Sequence, residues 1–141
     1  MASSRKTVRE ALKTLLKTSL TMCQEVYDYR VGDFGNLSPV VTVSVSGSAR
    51  ERSTFAGSFA RMYFQVDVFV LYSDQGSWGE DDAEDAIDTI EAAIAGVIDA
   101  NQQTANWAAL DLEGRSQRVD VEIGGVEYVR ESMIVVARVN G

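Results

Sequence analysis

Apolar residues recur at steps of three and four near the start of the chain. Val8, Leu12, Leu15, Leu16, Leu20, Cys23 and Val26 form one stripe, which predicts an amphipathic helix from about Thr7 to Tyr27. Thr7 with Glu10 three residues on fits a capping box, and the helix should end before Gly32. The period then changes to two. Val41, Val43 and Val45 alternate with Val40, Thr42, Ser44 and Ser46, a β-branched strand with one buried face. Ser38-Pro39 opens it with extended backbone.

A second strand spans Arg61 to Tyr72. Phe64, Val66, Val68 and Val70 face one way, and Tyr63, Gln65, Asp67, Phe69 and Leu71 the other. Both faces are largely apolar, as in a central strand, so Asp67 needs a partner, water or an open face. Between the two strands, residues 46–60 are rich in glycine, serine and charge, and read as a long connection rather than a tight hairpin. Phe55 and Phe59 would be unusual on a polar loop without a partner to bind.

A second helix is predicted from about Glu80 to Ala100, with Ala83, Ile87, Ile90, Ile94, Val97 and Ile98 as its stripe. Trp107, Leu110 and Leu112 are placed to enter the sheet or a short edge strand. Val119, Val121 and Ile123 alternate with Arg118, Asp120 and Glu122, and Gly124-Gly125 marks a tight hairpin into a strand over Val126 to Val139. The order is helix, strand, long loop, strand, helix, short strand, hairpin. It predicts a single α+β domain over residues 1–141: a four- to five-stranded, mainly antiparallel sheet with two helices packed on one face. With two helices for cover, Phe69, Leu71, Ile134 and Val136 should be buried by a helix or by a neighbouring subunit.

Charge sharpens this picture. The 141 residues carry 21 acids and 13 bases, a net charge of -8. Residues 1–20 hold five bases against Glu10, a net of +4, whereas Asp74 to Glu91 hold eight acids and no base. Two or three acids satisfy a helix dipole, so Asp81, Asp85 and Asp88 are candidates for a functional negative surface. A molecule of this charge repels DNA and anionic lipid at neutral pH.

Candidate chemistry is sparse. The chain has no histidine and one cysteine, which excludes Ser-His-Asp and Cys-His pairs and any His-based zinc site. Cys23 lies on the apolar stripe and reads as an inert core residue. Gly32-Asp33-Phe34-Gly35 follows a helix and precedes a strand, the reverse of the order that cradles phosphate. The acid run lacks the alternating oxygen ligands of a calcium loop. No metal, cofactor or enzymatic activity is expected. No stretch approaches eighteen consecutive apolar residues, and Lys13 and Lys17 interrupt the one candidate run near the start, so neither a membrane span nor a secretory signal is expected.

In their order along the chain, the N-terminal amphipathic helix, PVVTVSVSG, a variable loop, MYFQVDVFVLY, the acidic DDAEDAIDTIEAAIAGVIDAN, the Trp107 segment and a final hairpin ending in SMIVVARV resemble the tail terminator or tail-completion proteins of tailed bacteriophages. The resemblance covers nearly the whole chain and rests on order and length. It implies a non-enzymatic virion protein that forms a hexameric ring on the tail tube, ends tail polymerisation and offers a docking surface to the head-side connector. DNA would pass through an acidic lumen without specific binding, and the protein would reside in the virion tail after assembly in the host cytoplasm. On this chain, Arg50, Arg52, Phe55 and Phe59 in the 46–60 loop become candidates for contact with the major tail tube protein. Asp81, Asp85, Asp88 and Asp67 become candidates for an acidic channel or docking surface, and Phe69, Leu71, Ile134 and Val136 for a subunit interface. The basic first helix fits the ring's exterior or a subunit contact better than the lumen. A head–tail joining protein, of neck or stopper type, is the alternative, followed by a cellular protein-binding module.

Overall fold

The structure is a computed structural model that describes residues 4–35, 37–53, 57–71 and 80–140, with the side chains of 51–53, 57–58, 80–82 and 140 left aside. Its elements are α1 (Arg5–Ser19), β1 (Glu25–Tyr27), β2 (Val40–Ser53), β3 (Gly57–Leu71), α2 (Glu80–Ala100), β4 (Ala109–Ile123) and β5 (Val126–Asn140). The strands form one sheet in the order β1-β2-β3-β5-β4. β1 runs parallel to β2, and every other pairing is antiparallel. The α+β class and the mainly antiparallel five-stranded sheet agree with the sequence pattern.

α1 starts and stops earlier than its stripe predicts. Ser4, not Thr7, is the N-cap: its Oγ accepts the Thr7 N–H at 3.1 Å. Glu10 instead faces Lys6 one turn back, at 3.9 Å. The helix leaves α geometry at Leu20, and Glu25–Tyr27 pairs with Val40–Thr42. The apolar spacing continues past the helix because Leu20 and Val26 are still buried in the same core. A turn and a short strand meet the same burial requirement that a longer helix would.

The expected long loop at 46–60 is also corrected. β2 continues to Ser53 and β3 begins at Gly57, with the ladder intact from Ala49↔Arg61 to Ser53↔Gly57. Backbone hydrogen bonds need no apolar side chain, so a polar composition does not mark a break in the ladder. One irregularity, between Val45 and Gly47, shifts the side-chain alternation. Phe55 lies outside the described residues.

β4 is one strand where the pattern showed two pieces. Gly114, at φ +69°, and an irregularity between Glu113 and Gln117 interrupt its alternation. Trp107 stays outside the strand, buried, with its indole Nε1 donating to the Asn101 carbonyl at 2.8 Å. The Gly124-Gly125 turn has φ of +60° and +79°, which two glycines adopt without strain, and it sets Ile123 opposite Val126.

The apolar stripes of both helices, among them Leu12, Leu16, Ile87 and Ile94, belong to one core cluster with Val43, Phe64, Val66, Val135 and Leu110. α1 touches β1 and β2, whereas α2 touches β3 and β4. Each fully buried Leu or Ile in such a core contributes about 1.5–3 kcal/mol. A second, smaller cluster gathers Phe34, Val40, Phe69 and Tyr128.

Candidate functional site

The acid run of α2 acquires a partner that is remote in sequence. Arg118 on β4 donates to Glu131 on β5 at 2.8 and 3.0 Å, to Asp88 on α2 at 2.9 Å, and to Glu84 one turn earlier. Register explains the convergence, because Arg118 sits directly opposite Glu131. Burial opposes the charge of Arg118, yet the hydrogen bonds from Asp88 and Glu131 and the field of Glu84 carry its pKa above the ordinary arginine value. One guanidinium thus ties α2 to the sheet edge. Asp88, expected on an open acidic surface, is partly spent on this contact, although its side chain remains 68% exposed. Asp85 is exposed and fits the expected surface, and the side chain of Asp81 lies outside the described residues.

Asp67 does not belong to any open acidic surface. It is 4% exposed, and both of its oxygens accept from Gln65 Nε2, at 3.0 and 3.1 Å. Arg30, Val31, Thr42, Phe69 and Arg130 join Gln65 and Asp67 around a cavity of about 220 Å³. The Oγ atoms of Ser44 and Ser132 and the Nε of Arg130 are buried without a hydrogen-bond partner. The pattern showed that Asp67 needs a partner; it did not show that the chain itself closes over it.

Phe69, expected at a subunit interface, is covered by its own chain. Its ring lies 4.8 Å from that of Phe34 and 6.3 Å from that of Tyr128. Phe34 comes from the β1–β2 connection, which supplies the cover that two helices could not. Leu71 packs against the same cluster, and its N–H donates to Ser38 Oγ at 2.9 Å. Ile134 and Val136 are half-buried, opposite Gln65 and Tyr63 on one side and Glu113 and Asp111 on the other.

Among the expected tube contacts, Arg50 is exposed near the end of β2, and the side chain of Arg52 lies outside the described residues. Phe59 sits within β3 and not on a loop. The guanidinium groups of Arg138 and Arg61 lie over its ring, with their Cζ atoms 4.2 and 5.6 Å from the centroid, within cation–π range. The Cys23 thiol is half-buried, and burial pushes its pKa up to about 11, a poor setting for a nucleophile. Among the described residues no group of three or more Cys, Asp or Glu side chains is placed to hold a metal ion, and no described helix is long and apolar enough to cross a membrane.

Sequence reasoning missed the Arg118 junction and the charge layout of the sheet edges. The signal for the first was present: Arg118 is a single base on the acidic face of its strand, at a position that the hairpin register sets against Glu131. α1, with five bases and one acid, lies on the β1 and β2 side, while α2, with eight acids and no base, lies on the β3 and β4 side. The chain matches no protein-family model and no curated protein.

Proposed function

We propose that this chain is a structural virion protein that caps the tail tube of a tailed bacteriophage, ends tube polymerisation and presents a docking surface to the head-side connector. The observation that carries the reading is the placement of the segments that bear the family resemblance. PVVTVSVSG opens β2, MYFQVDVFVL forms the larger part of β3, the acidic segment lies in α2, and SMIVVARV is the core of β5. Each falls in a separate element of one sheet-and-helix unit.

The acidity of α2 supports passage of DNA without adhesion, because exposed carboxylates raise the electrostatic cost of phosphate approach within a Debye length, about 8 Å at physiological salt. No catalysis enters this function. Its work is done by surfaces: one for copies of itself, one for the tube and one for the connector.

Tail length in a phage lacking this chain tests the proposal. Without the chain, tubes should grow past their normal length and heads should fail to join. Adding the purified protein should restore tails of normal length. Normal tails in its absence would refute the proposal, and overlong tubes that still join heads would remove the docking role.

A further inference from the structure

The two outer edges of the sheet differ in charge and match in height. One edge is β1 with the part of β2 beyond it, because β1 covers only Val40–Thr42. The other is β4. Among the described residues, no backbone hydrogen bond from another element reaches the outward side of Val43–Ser53 or of β4 beyond Ala108. Such edges are ready to accept a strand.

Register fixes their relative height. Ala109 stands opposite Arg138, Arg138 opposite Arg61, and Arg61 opposite Ala49. Glu113 follows the same path, through Ile134 and Gln65, to Ser44. The first part of β4 is therefore level with the part of β2 that β1 leaves open. The directions also fit. β4 runs antiparallel to β5, β5 to β3 and β3 to β2, so a second copy placed beside the first in the same orientation sets its β4 antiparallel to this β2.

Side chains favour this pairing over its alternatives. α1, against β1 and β2, carries a net +4, from five bases and one acid, whereas α2, against β3 and β4, carries eight acids and no base. Two acidic edges repel, as do two basic ones, which disfavours the isologous joints and favours the heterologous one. Exposed apolar side chains divide in the same way. Val119 is on β4, and its register path through Arg130, Phe69 and Val40 reaches Glu25 at the start of β1. Met22 and Tyr29, at 41% and 57% exposed, flank β1 in sequence.

We infer that the β4 and α2 edge of one copy docks on the β1–β2 and α1 edge of the next, extending the sheet from chain to chain. The irregularities at Val45/Gly47 and Glu113/Gln117 limit the paired stretch to a few residues. The joint is thus short at the backbone and reinforced by the opposed helices. This partner assignment deepens the ring reading above and rests on it only for closure into a ring, since a head-to-tail joint produces a ring or a filament according to its angle.

Paired cysteines test the joint. In a Cys23→Ser background, Ala49→Cys and Ala109→Cys are placed in the same chain, and the protein is oxidised at low salt. A ladder of disulfide-linked multimers is expected, at least fivefold weaker at 0.5 M salt. Each single variant alone should give no ladder, and a mixture of the two single variants should give linked dimers. Circular dichroism confirms folding of each variant. Charge reversal supplies a second arm: Asp85→Lys/Asp120→Lys/Glu122→Lys and Lys6→Glu/Lys13→Glu/Arg50→Glu should each abolish self-association, and mixing the two should restore it. Absence of a ladder from the folded double variant, or self-association unchanged by reversal, would overturn the inference. Multimers of a number other than six would uphold the joint while counting against the hexameric cap, so the two readings fail separately.

Discussion

Arg118 on β4 and Asp88 on α2 meet at 2.9 Å, a contact across thirty residues of chain that decides how the acidic helix sits on the sheet edge. The same guanidinium serves Glu131, whose side chain is only 8% exposed. Removing the base strands a nearly buried carboxylate. Arg118→Met should therefore cost about 2–4 kcal/mol, measured by urea unfolding. Adding Glu131→Gln should recover part of that loss, since no buried charge then lacks its partner. An Arg118→Met cost under 0.5 kcal/mol would show that the junction is solvated and stabilises little.

The hairpin turn offers a sharper comparison. A Cβ on Gly124 would stand 2.6 Å from Asp33 Cγ, whereas one on Gly125 meets nothing within 4 Å; both glycines have positive φ. Gly125→Ala should cost about 1 kcal/mol from backbone strain alone. Gly124→Ala should cost more, about 2 kcal/mol, because the carboxylate must also move and give up its bond from the Gly35 N–H. The difference between the two unfolding midpoints checks this, and equal costs would contradict it.

Glu25 predicts a pH dependence. A hydrogen bond from Lys17, at 3.0 Å, and another from the Val26 N–H hold its carboxyl below the usual value of 4.5. The folded state thus binds this proton less readily than the unfolded chain does. Its contribution is present above pH 4.5 and is lost as pH falls through the folded pKa. Glu25→Gln should lower stability at pH 7 by roughly 0.5 kcal/mol, and the gap to wild type should close toward pH 3. A gap that widens in acid would contradict the sign.

Cys23 should react slowly. With its pKa near 11 against an ordinary 9.0, the thiolate fraction at pH 8 falls by about 100-fold. Modification by a thiol reagent should slow by a similar factor relative to a free thiol and recover in denaturant. Rapid modification of the folded chain would place the thiol in solvent.

Much of this fold was legible in the sequence because periodicity reports burial directly. The alternation around Phe64 and Val66, the isoleucine stripe of α2 and the Gly124-Gly125 turn all read correctly. The failures have physical causes. Leu20, Cys23 and Val26 keep a helical spacing although the chain leaves the helix at Leu20, since spacing marks what is buried and not which backbone buries it. Residues 46–53 and 57–60 looked like loop because backbone ladder bonds need no apolar side chains. The cover of Phe69 by Phe34 and the junction at Arg118 depend on tertiary register, which no local window contains. The acid run of α2 was visible from the start, but its place against β3 and β4, with the basic α1 against β1 and β2, appears only once the strand order is known.

Labelling the chain on growing tail tubes tests the central claim most directly. Purified protein carrying an electron-dense tag is added to polymerising tube protein, and label positions are counted by electron microscopy. The capping account predicts label at one end of each tube, with growth stopped at that end. Label spread along the tube wall, or tubes that keep growing beyond labelled ends, would contradict it.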